Sequence, residues 1–233
     1  MITKTLKTIK GKLLVKIPDK LNEITIDQMM ALQSSQQLTD IEAISILSGI
    51  SIDELKNVSD MDDFAVFEQC ISSLSHQIKH LYNSDDVPKN ITFFEGKNAK
   101  RVNVTGNLSV EPVGAFMAAR EIINEEINDC IKQHGEEAWK DYFNPSLKAC
   151  CQVLAHYFFC RVTGKKYNEY EAEEFCNEIK RLRVTEALPI AKHFFTCYPN
   201  LSKRKTNFFH RNLRFWKSGP VSNLSRSLNI STL

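Results

Sequence analysis

The stretch Leu147-Lys-Ala-Cys-Cys-Gln-Val-Leu-Ala-His-Tyr-Phe-Phe-Cys-Arg-Val162 is the most apolar part of this chain of 233 residues. Pro145 lies just before it and Gly164 just after it. These two residue types are typical of the beginning and the end of a helix, respectively. We therefore predict a very apolar helix from Leu147 to Val162.

Helical patterns continue on both sides of this segment. Apolar residues spaced by three or four define one helical face between Pro112 and Gly135. Further helices are predicted at residues 136–143, 169–182, 185–195 and 201–216, the second of them capped by Asn168. From Pro112 to the tail, the chain is thus predicted to be helical.

The N-terminal half mixes short strands and helices. Lys alternates with Leu, Ile and Val between Leu6 and Ile17, which predicts two short strands. Capping boxes at Thr25, Thr39 and Ser51 predict three short helices, and Gly49 fits the end of one of them. A longer helix is predicted at residues 61–82 from its apolar spacing.

A second β segment is predicted at residues 91–105, after a polar connector. The two β segments either pair into one small antiparallel sheet, which would join the halves of the chain, or stay separate. The predicted fold is mainly α, a helical bundle-like body with a small antiparallel β element near the N-terminus. We expect this body to cover residues 1–200, with a candidate internal boundary near 84–110, and a basic aromatic C-terminal arm to follow at 201–233.

Composition is that of an ordinary globular protein, with 42% hydrophobic and 25% charged residues. The N-terminus lacks the apolar stretch of a signal peptide, and no apolar run is long enough to span a bilayer. The seven cysteines are an odd number and most lie in apolar helical patterns. We therefore expect free, buried thiols in a reducing compartment.

Charge is divided unevenly along the chain. The last 47 residues hold eight Lys or Arg and no acid, whereas the first 186 hold 22 basic and 28 acidic residues, a net of −6. Aromatic residues are interleaved with the basic ones. The candidate partner-binding residues are Lys203, Arg204, Lys205, Phe208, Phe209, Arg211, Arg214, Phe215, Trp216 and Lys217.

Three explanations of this basic tail are open. In the first, it is an arm that places aromatic side chains in a groove of a partner while its charges contact an acidic rim. In the second, it contacts nucleic acid through phosphates and stacked bases. In the third, it is an amphipathic terminal helix that packs on its own core.

Candidate catalytic and metal-binding residues have a simpler explanation in each case. His76 and His80 have a spacing that suits a metal, but no third ligand is evident. A reactive thiol near Cys150, Cys151, His156 and Cys160 would need a positive, open pocket, for which Arg161 is the sole nearby cation. There is no Gly-rich phosphate loop. We expect no enzyme activity, no cofactor and no metal.

Two acidic helix stripes are interpreted as solvated faces with ordinary surface spacing. A secondary interpretation is that they receive the basic tail of a neighbouring copy. The stripes consist of Glu121, Glu125, Glu126 and Asp129, and of Glu171, Glu173, Glu174 and Glu178.

Two stretches resemble a family of small proteins of tailed bacteriophages, including crAss-like phages, described as tail assembly chaperone-like or small head–tail structural proteins. The first covers residues 16–33 and 40–55, with an Ile-Thr helix start and the sequence Leu47-Ser-Gly-Ile50 before an acidic cap. The second covers residues 170–179 and 184–195, followed by a basic run. Together they make up about a quarter of the chain.

The resemblance implies a non-enzymatic role in phage tail or head–tail assembly, through protein–protein binding with the tail as docking arm. The implied partners are other tail or virion proteins and further copies of the chain, without a membrane, in the virion or the bacterial host cytoplasm. A transient chaperone and a retained structural subunit are both compatible with it. The alternative is a nucleic-acid-binding protein that uses the basic aromatic tail.

Overall fold

The computed structural model describes residues 1–34, 38–59, 61–78, 87–95, 98–104 and 111–197. These residues are mainly helical, with a small antiparallel two-stranded sheet near the N-terminus, which confirms the predicted fold class. They form two compact units, one with the described residues up to 78 and one with those from 87 to 197. The predicted arm at 201–233 lies outside the described residues.

A β-hairpin begins the first unit. Strand β1 (Ile2–Thr8) pairs antiparallel with β2 (Gly11–Ile17). Leu6, Val15 and Ile17 are completely buried, while the side chains that alternate with them are exposed. One face of the hairpin therefore covers the core of this unit, and the other face meets solvent.

Three short helices follow, α1 (Ile26–Ser34), α2 (Asp40–Ser48) and α3 (Ile52–Leu55). The predicted capping boxes start them. The Gln28 amide donates to the hydroxyl of Thr25 at 3.2 Å, and the Thr25 amide donates to the side chain of Gln28 at 3.0 Å. The other two caps join Thr39 with Glu42 and Ser51 with Glu54. As predicted, Gly49 ends α2 with a φ of 72°.

The long predicted helix at 61–82 begins as a 3-10 turn, Met61–Phe64, and continues as α4, Ala65–Ile78. Residues 79–82 lie outside the described part. Phe67, Ile71 and Leu74 lie on the buried side of α4. The helix thus packs with the apolar spacing that predicted it.

The second unit has its own hairpin, β3 (Asn90–Glu95) with β4 (Asn98–Asn103). Of the two arrangements that the sequence left open, the described residues show separate hairpins, since β1 pairs with β2 and β3 with β4. Each pair consists of neighbouring strands with a short connection, so pairing within a hairpin closes a much smaller loop than pairing between distant segments.

Five helices complete the second unit: α5 (Val113–Tyr142), α6 (Leu147–Thr163), α7 (Glu169–Glu174), α8 (Cys176–Lys180) and α9 (Val184–Cys197). Helix α6 is the predicted apolar helix, and it contacts the other four. Each residue from Val153 to Phe159 is buried. The core of this unit is therefore built around α6.

Two details of the helices bear on the predictions. Gly135 interrupts α5 with a φ of 82°, where the sequence predicts the end of one helix and the start of another. The predicted helix at 169–182 is in fact divided into α7 and α8 at Phe175, whose buried ring packs on Phe93 and Phe159. No helix within the described ranges is long and apolar enough to cross a membrane.

Candidate interaction surfaces

The ten residues predicted to bind a partner lie outside the part of the chain that the structure describes. They are Lys203, Arg204, Lys205, Phe208, Phe209, Arg211, Arg214, Phe215, Trp216 and Lys217. Docking through them stays a prediction. The described residues nevertheless show which other groups are engaged in packing and which are exposed.

The thiols of α6 take part in packing. Cys150 and Cys151 are buried, as predicted, and burial raises the pKa of the Cys150 thiol well above its ordinary value. Burial and the nearby carboxylate of Glu111 also raise the pKa of Cys160. A thiol with a raised pKa is protonated at neutral pH and is a poor nucleophile.

The cation beside these thiols is paired. Arg161 forms a salt bridge with Glu111, whose side chain is only 5% exposed, and its Nε donates to Glu111 Oε1 at 2.6 Å. The guanidinium also donates to the Asn103 carbonyl at 3.3 Å and lies 4.9 Å from the ring centre of Tyr157. Arg161 therefore joins the start of α5 to α6 and β4 instead of activating a thiol.

His156 has a structural partner that the sequence pattern did not indicate. The hydroxyl of Tyr167 lies 2.9 Å from His156 Nδ1, and the Tyr167 ring packs against Gly114, where an added Cβ would come within 2.7 Å of it. Burial lowers the pKa of His156 and raises that of Tyr167 to about 12. Both side chains are thus neutral at neutral pH and serve to pack α5 on α6.

The two histidines spaced four apart, His76 and His80, are only partly described by the structure. His76 is exposed on α4, and His80 lies outside the described residues. Among the described side chains, no three His, Cys, Asp or Glu residues come together as metal ligands.

The exposed side of α5 carries an uninterrupted row of side chains four residues apart, which we name the α5 ridge: Val113, Met117, Glu121, Glu125 and Asp129. Val113 is 77% exposed and Met117 is 53% exposed. Consecutive side chains of this row are neighbours roughly 6 Å apart, and the row winds around the helix by about 40° at each step. The ridge thus passes from an apolar end to an acidic end.

The remaining acids of the two predicted stripes are partly engaged within the chain. Glu126 accepts hydrogen bonds from the amide and the hydroxyl of Ser146, both at 2.8 Å, at the start of α6. Glu171 pairs with Lys165, and Glu178 pairs with Arg181. One acid of the α5 ridge is engaged as well, since Asp129 pairs with Lys132 at 2.8 Å. Among the described residues, Glu121 and Glu125 are therefore the ridge acids that form no salt bridge.

A second charged surface lies on the solvent face of the β1–β2 hairpin, which we name the hairpin face: Thr3, Thr5, Lys7, Lys12, Leu14 and Lys16. The register places Lys7 directly opposite Lys12. Leu14 is 62% exposed. Among the described residues, no carboxylate forms a salt bridge with any of these three lysines.

Sequence reasoning missed the hairpin face because it counted charge over residues 1–186 as a single body. All 28 acidic residues lie between Asp19 and Glu186, where 17 basic residues leave a net of −11. Residues 1–18 hold five lysines and no acid. The acid-free N-terminal segment was the signal that would have identified this surface.

Comparison of the chain with protein-family models, with curated proteins and with solved structures finds no match.

Proposed function

We propose that this protein is a non-enzymatic assembly or structural protein of tailed bacteriophages that acts through protein–protein binding. The observation that carries the proposal is the α5 ridge. Val113 and Met117 remain largely exposed on a helical row that continues into three carboxylates. Adjacent exposed apolar side chains with a charged rim are typical of a binding surface.

The basic C-terminal segment, residues 201–233, has side chains that complement those of the α5 ridge. Its Phe and Trp residues suit contact with Val113 and Met117, and its Lys and Arg residues suit contact with Glu121 and Glu125. We propose that the segment from one copy docks on the α5 ridge of a neighbouring copy. Such a contact joins two different surfaces and so builds rings or longer arrays.

The sequence resemblance to tail assembly chaperone-like and head–tail proteins supports a role in phage assembly. For that role, we propose tail or virion proteins and further copies of the chain as partners. The proposed location is the virion or the bacterial host cytoplasm. The burial of Cys150 and Cys151 and the pairing of Arg161 with Glu111 support a binding role, since packing and an ion pair already engage these groups.

Reversing the charge of the ridge tests the proposal. Glu121→Lys/Glu125→Lys places like charges where the basic segment docks, and such contacts cost several kcal/mol. We expect the self-association constant, measured by sedimentation equilibrium of the full chain, to weaken by about 100-fold, which corresponds to ~3 kcal/mol. Glu136→Lys/Glu137→Lys makes the same charge change at exposed positions beyond the ridge and serves as the control.

The two variants give opposite outcomes if the proposal holds. The ridge variant loses association and the control retains it. Equal association of the two variants, or a wild-type chain that stays monomeric at high concentration and low salt, contradicts the proposal.

A further inference from the structure

We infer that the hairpin face of β1–β2 binds the phosphate backbone of duplex nucleic acid. This surface lies in the first unit and is distinct from the α5 ridge and from the basic C-terminal segment. The inference rests on the arrangement of the side chains on this face, and it does not depend on the proposed assembly function.

The hairpin face is a small grid of three rows. The register pairs Thr3 with Lys16, Thr5 with Leu14 and Lys7 with Lys12. Because two residues along a strand span roughly 6.8 Å, the rows are spaced by about two base-pair steps of a duplex. Ammonium groups with adjacent hydroxyls are the side-chain groups that contact phosphate oxygens in nucleic-acid complexes.

The pair formed by Lys7 and Lys12 points to an anionic ligand. Like charges directly opposite each other across a hairpin are destabilising. Both side chains are exposed, and among the described residues neither forms a salt bridge with an acid. A phosphate bound between the two ammonium groups offsets this repulsion. Binding of an anion therefore gives a reason for two opposed lysines that packing of the hairpin does not give.

The composition of the face favours nucleic acid over an acidic protein. The centres of protein–protein interfaces are depleted in Lys and depend on aromatic or other apolar anchors. Here Leu14 is the single apolar side chain of the face, and Ile9 lies at the turn beyond it. Lysine binds phosphate as a point charge, which suits contact with a phosphate backbone.

The absence of acidic residues from the hairpin segment supports the same conclusion. Residues 1–18 carry five lysines without an acid, so no carboxylate in this segment repels a polyanion. A duplex presents a negative charge at each ~3.4 Å of either strand, which suits a row of cations without intervening acids.

Binding of a fluorescent 20-base-pair DNA duplex to the full chain, measured by anisotropy as a function of salt, tests the inference. The variant Lys7→Gln/Lys12→Gln/Lys16→Gln removes up to three phosphate contacts and keeps the strands. We expect its salt slope, d log K/d log[salt], to be less steep than that of wild type by about 2.7. Between 50 and 200 mM salt, wild type then loses ~40-fold more affinity than the variant.

The matched control is Lys56→Gln/Lys148→Gln/Lys166→Gln, which removes three exposed lysines outside the hairpin. Because it lowers the net charge equally, it accounts for charge effects in general and leaves the basic C-terminal segment intact. We expect the control to keep the wild-type salt slope. Equal slopes for the two triple variants, or no duplex binding by wild type at 50 mM salt, overturn the inference.

Competition with poly-L-glutamate of equal total charge distinguishes phosphate from carboxylate. We expect the duplex to displace the probe at a much lower concentration than the polypeptide. Equal competition would show that binding does not prefer phosphate over carboxylate and would also overturn the inference. Self-association of the hairpin variant is expected to match wild type, so failure of this inference and failure of the assembly proposal are separable.

Discussion

Helix α6 and the β1–β2 hairpin use their polar and charged side chains in opposite ways. On α6, Cys150 and Cys151 are buried, His156 bonds to Tyr167, and Arg161 pairs with Glu111. On the hairpin face, the lysines extend into solvent around a single apolar side chain. The residues of α6 that resemble catalytic groups therefore stabilise the fold. The exposed lysines of the hairpin face are the residues that a binding partner can reach.

The largest expected effect comes from the core side of this comparison. Phe158 is completely buried in α6, and its ring lies 5.3 Å from that of Phe93. We expect Phe158→Ala to lower the free energy of unfolding by about 3–5 kcal/mol, because it removes buried contacts and leaves a cavity.

Urea denaturation measures this change, with Leu14→Ala on the hairpin face as the control. Leu14 is 62% exposed, so its truncation is expected to change stability by less than ~0.5 kcal/mol. Similar losses for the two variants would mean that the hairpin face is packed against something, which contradicts the comparison.

An intermediate effect is expected at the Glu111–Arg161 pair. Arg161→Met leaves the buried carboxylate of Glu111 without its cation, and we expect a loss of about 3 kcal/mol, near the low end for such pairs because Arg161 is partly exposed. Adding Glu111→Gln removes the uncompensated charge and is expected to restore at least half of the loss. A double variant as unstable as the sum of the single variants would show that the pair is not coupled.

The smallest expected effect is a gain in stability on the hairpin. Lys12→Thr removes the repulsion with Lys7, and we expect the free energy of unfolding to rise by a few tenths of a kcal/mol at low salt. Lys16→Thr is the control, since Lys16 lies opposite Thr3 and the same change in β propensity applies. Equal changes for the two variants would show that the opposed lysines do not repel each other appreciably.

Features with a local cause were predictable from the sequence. The apolar helix α6, the capping boxes at Thr25, Thr39 and Ser51, and the break at Gly135 follow from neighbouring residues alone. Each of these needs only a few consecutive positions to specify the backbone. The apolar spacing, the caps and the glycine were therefore sufficient to predict the mainly helical fold.

Features that depend on distant contacts were not. Glu111 and Arg161 are 50 positions apart, and no local pattern marks them as partners. The choice between two hairpins and one combined sheet was also left open, since strand composition does not name the pairing strand. The helix predicted at 169–182 is divided at Phe175, and the packing of its ring on Phe93 is likewise a contact between distant positions.

The hairpin face was missed for a different reason. Its lysines are visible in the sequence, but a charge total taken over 186 residues averaged them with the acids that follow Asp19. Alternation along the two strands places Lys7, Lys12 and Lys16 on one side. A charged surface such as this one is found only when charge is summed over each face of a strand or helix as well as along the sequence.

Mixing two charge-reversed chains tests the assembly account most directly. One chain carries Glu121→Lys/Glu125→Lys on the α5 ridge, and the other carries Lys203→Glu/Arg204→Glu/Lys205→Glu/Arg211→Glu/Arg214→Glu, which makes the C-terminal segment acidic. The account predicts that each chain alone sediments as a monomer and that an equimolar mixture associates again, because each ridge then meets a segment of opposite charge. A mixture that stays monomeric while wild type associates would contradict docking of the C-terminal segment on the α5 ridge.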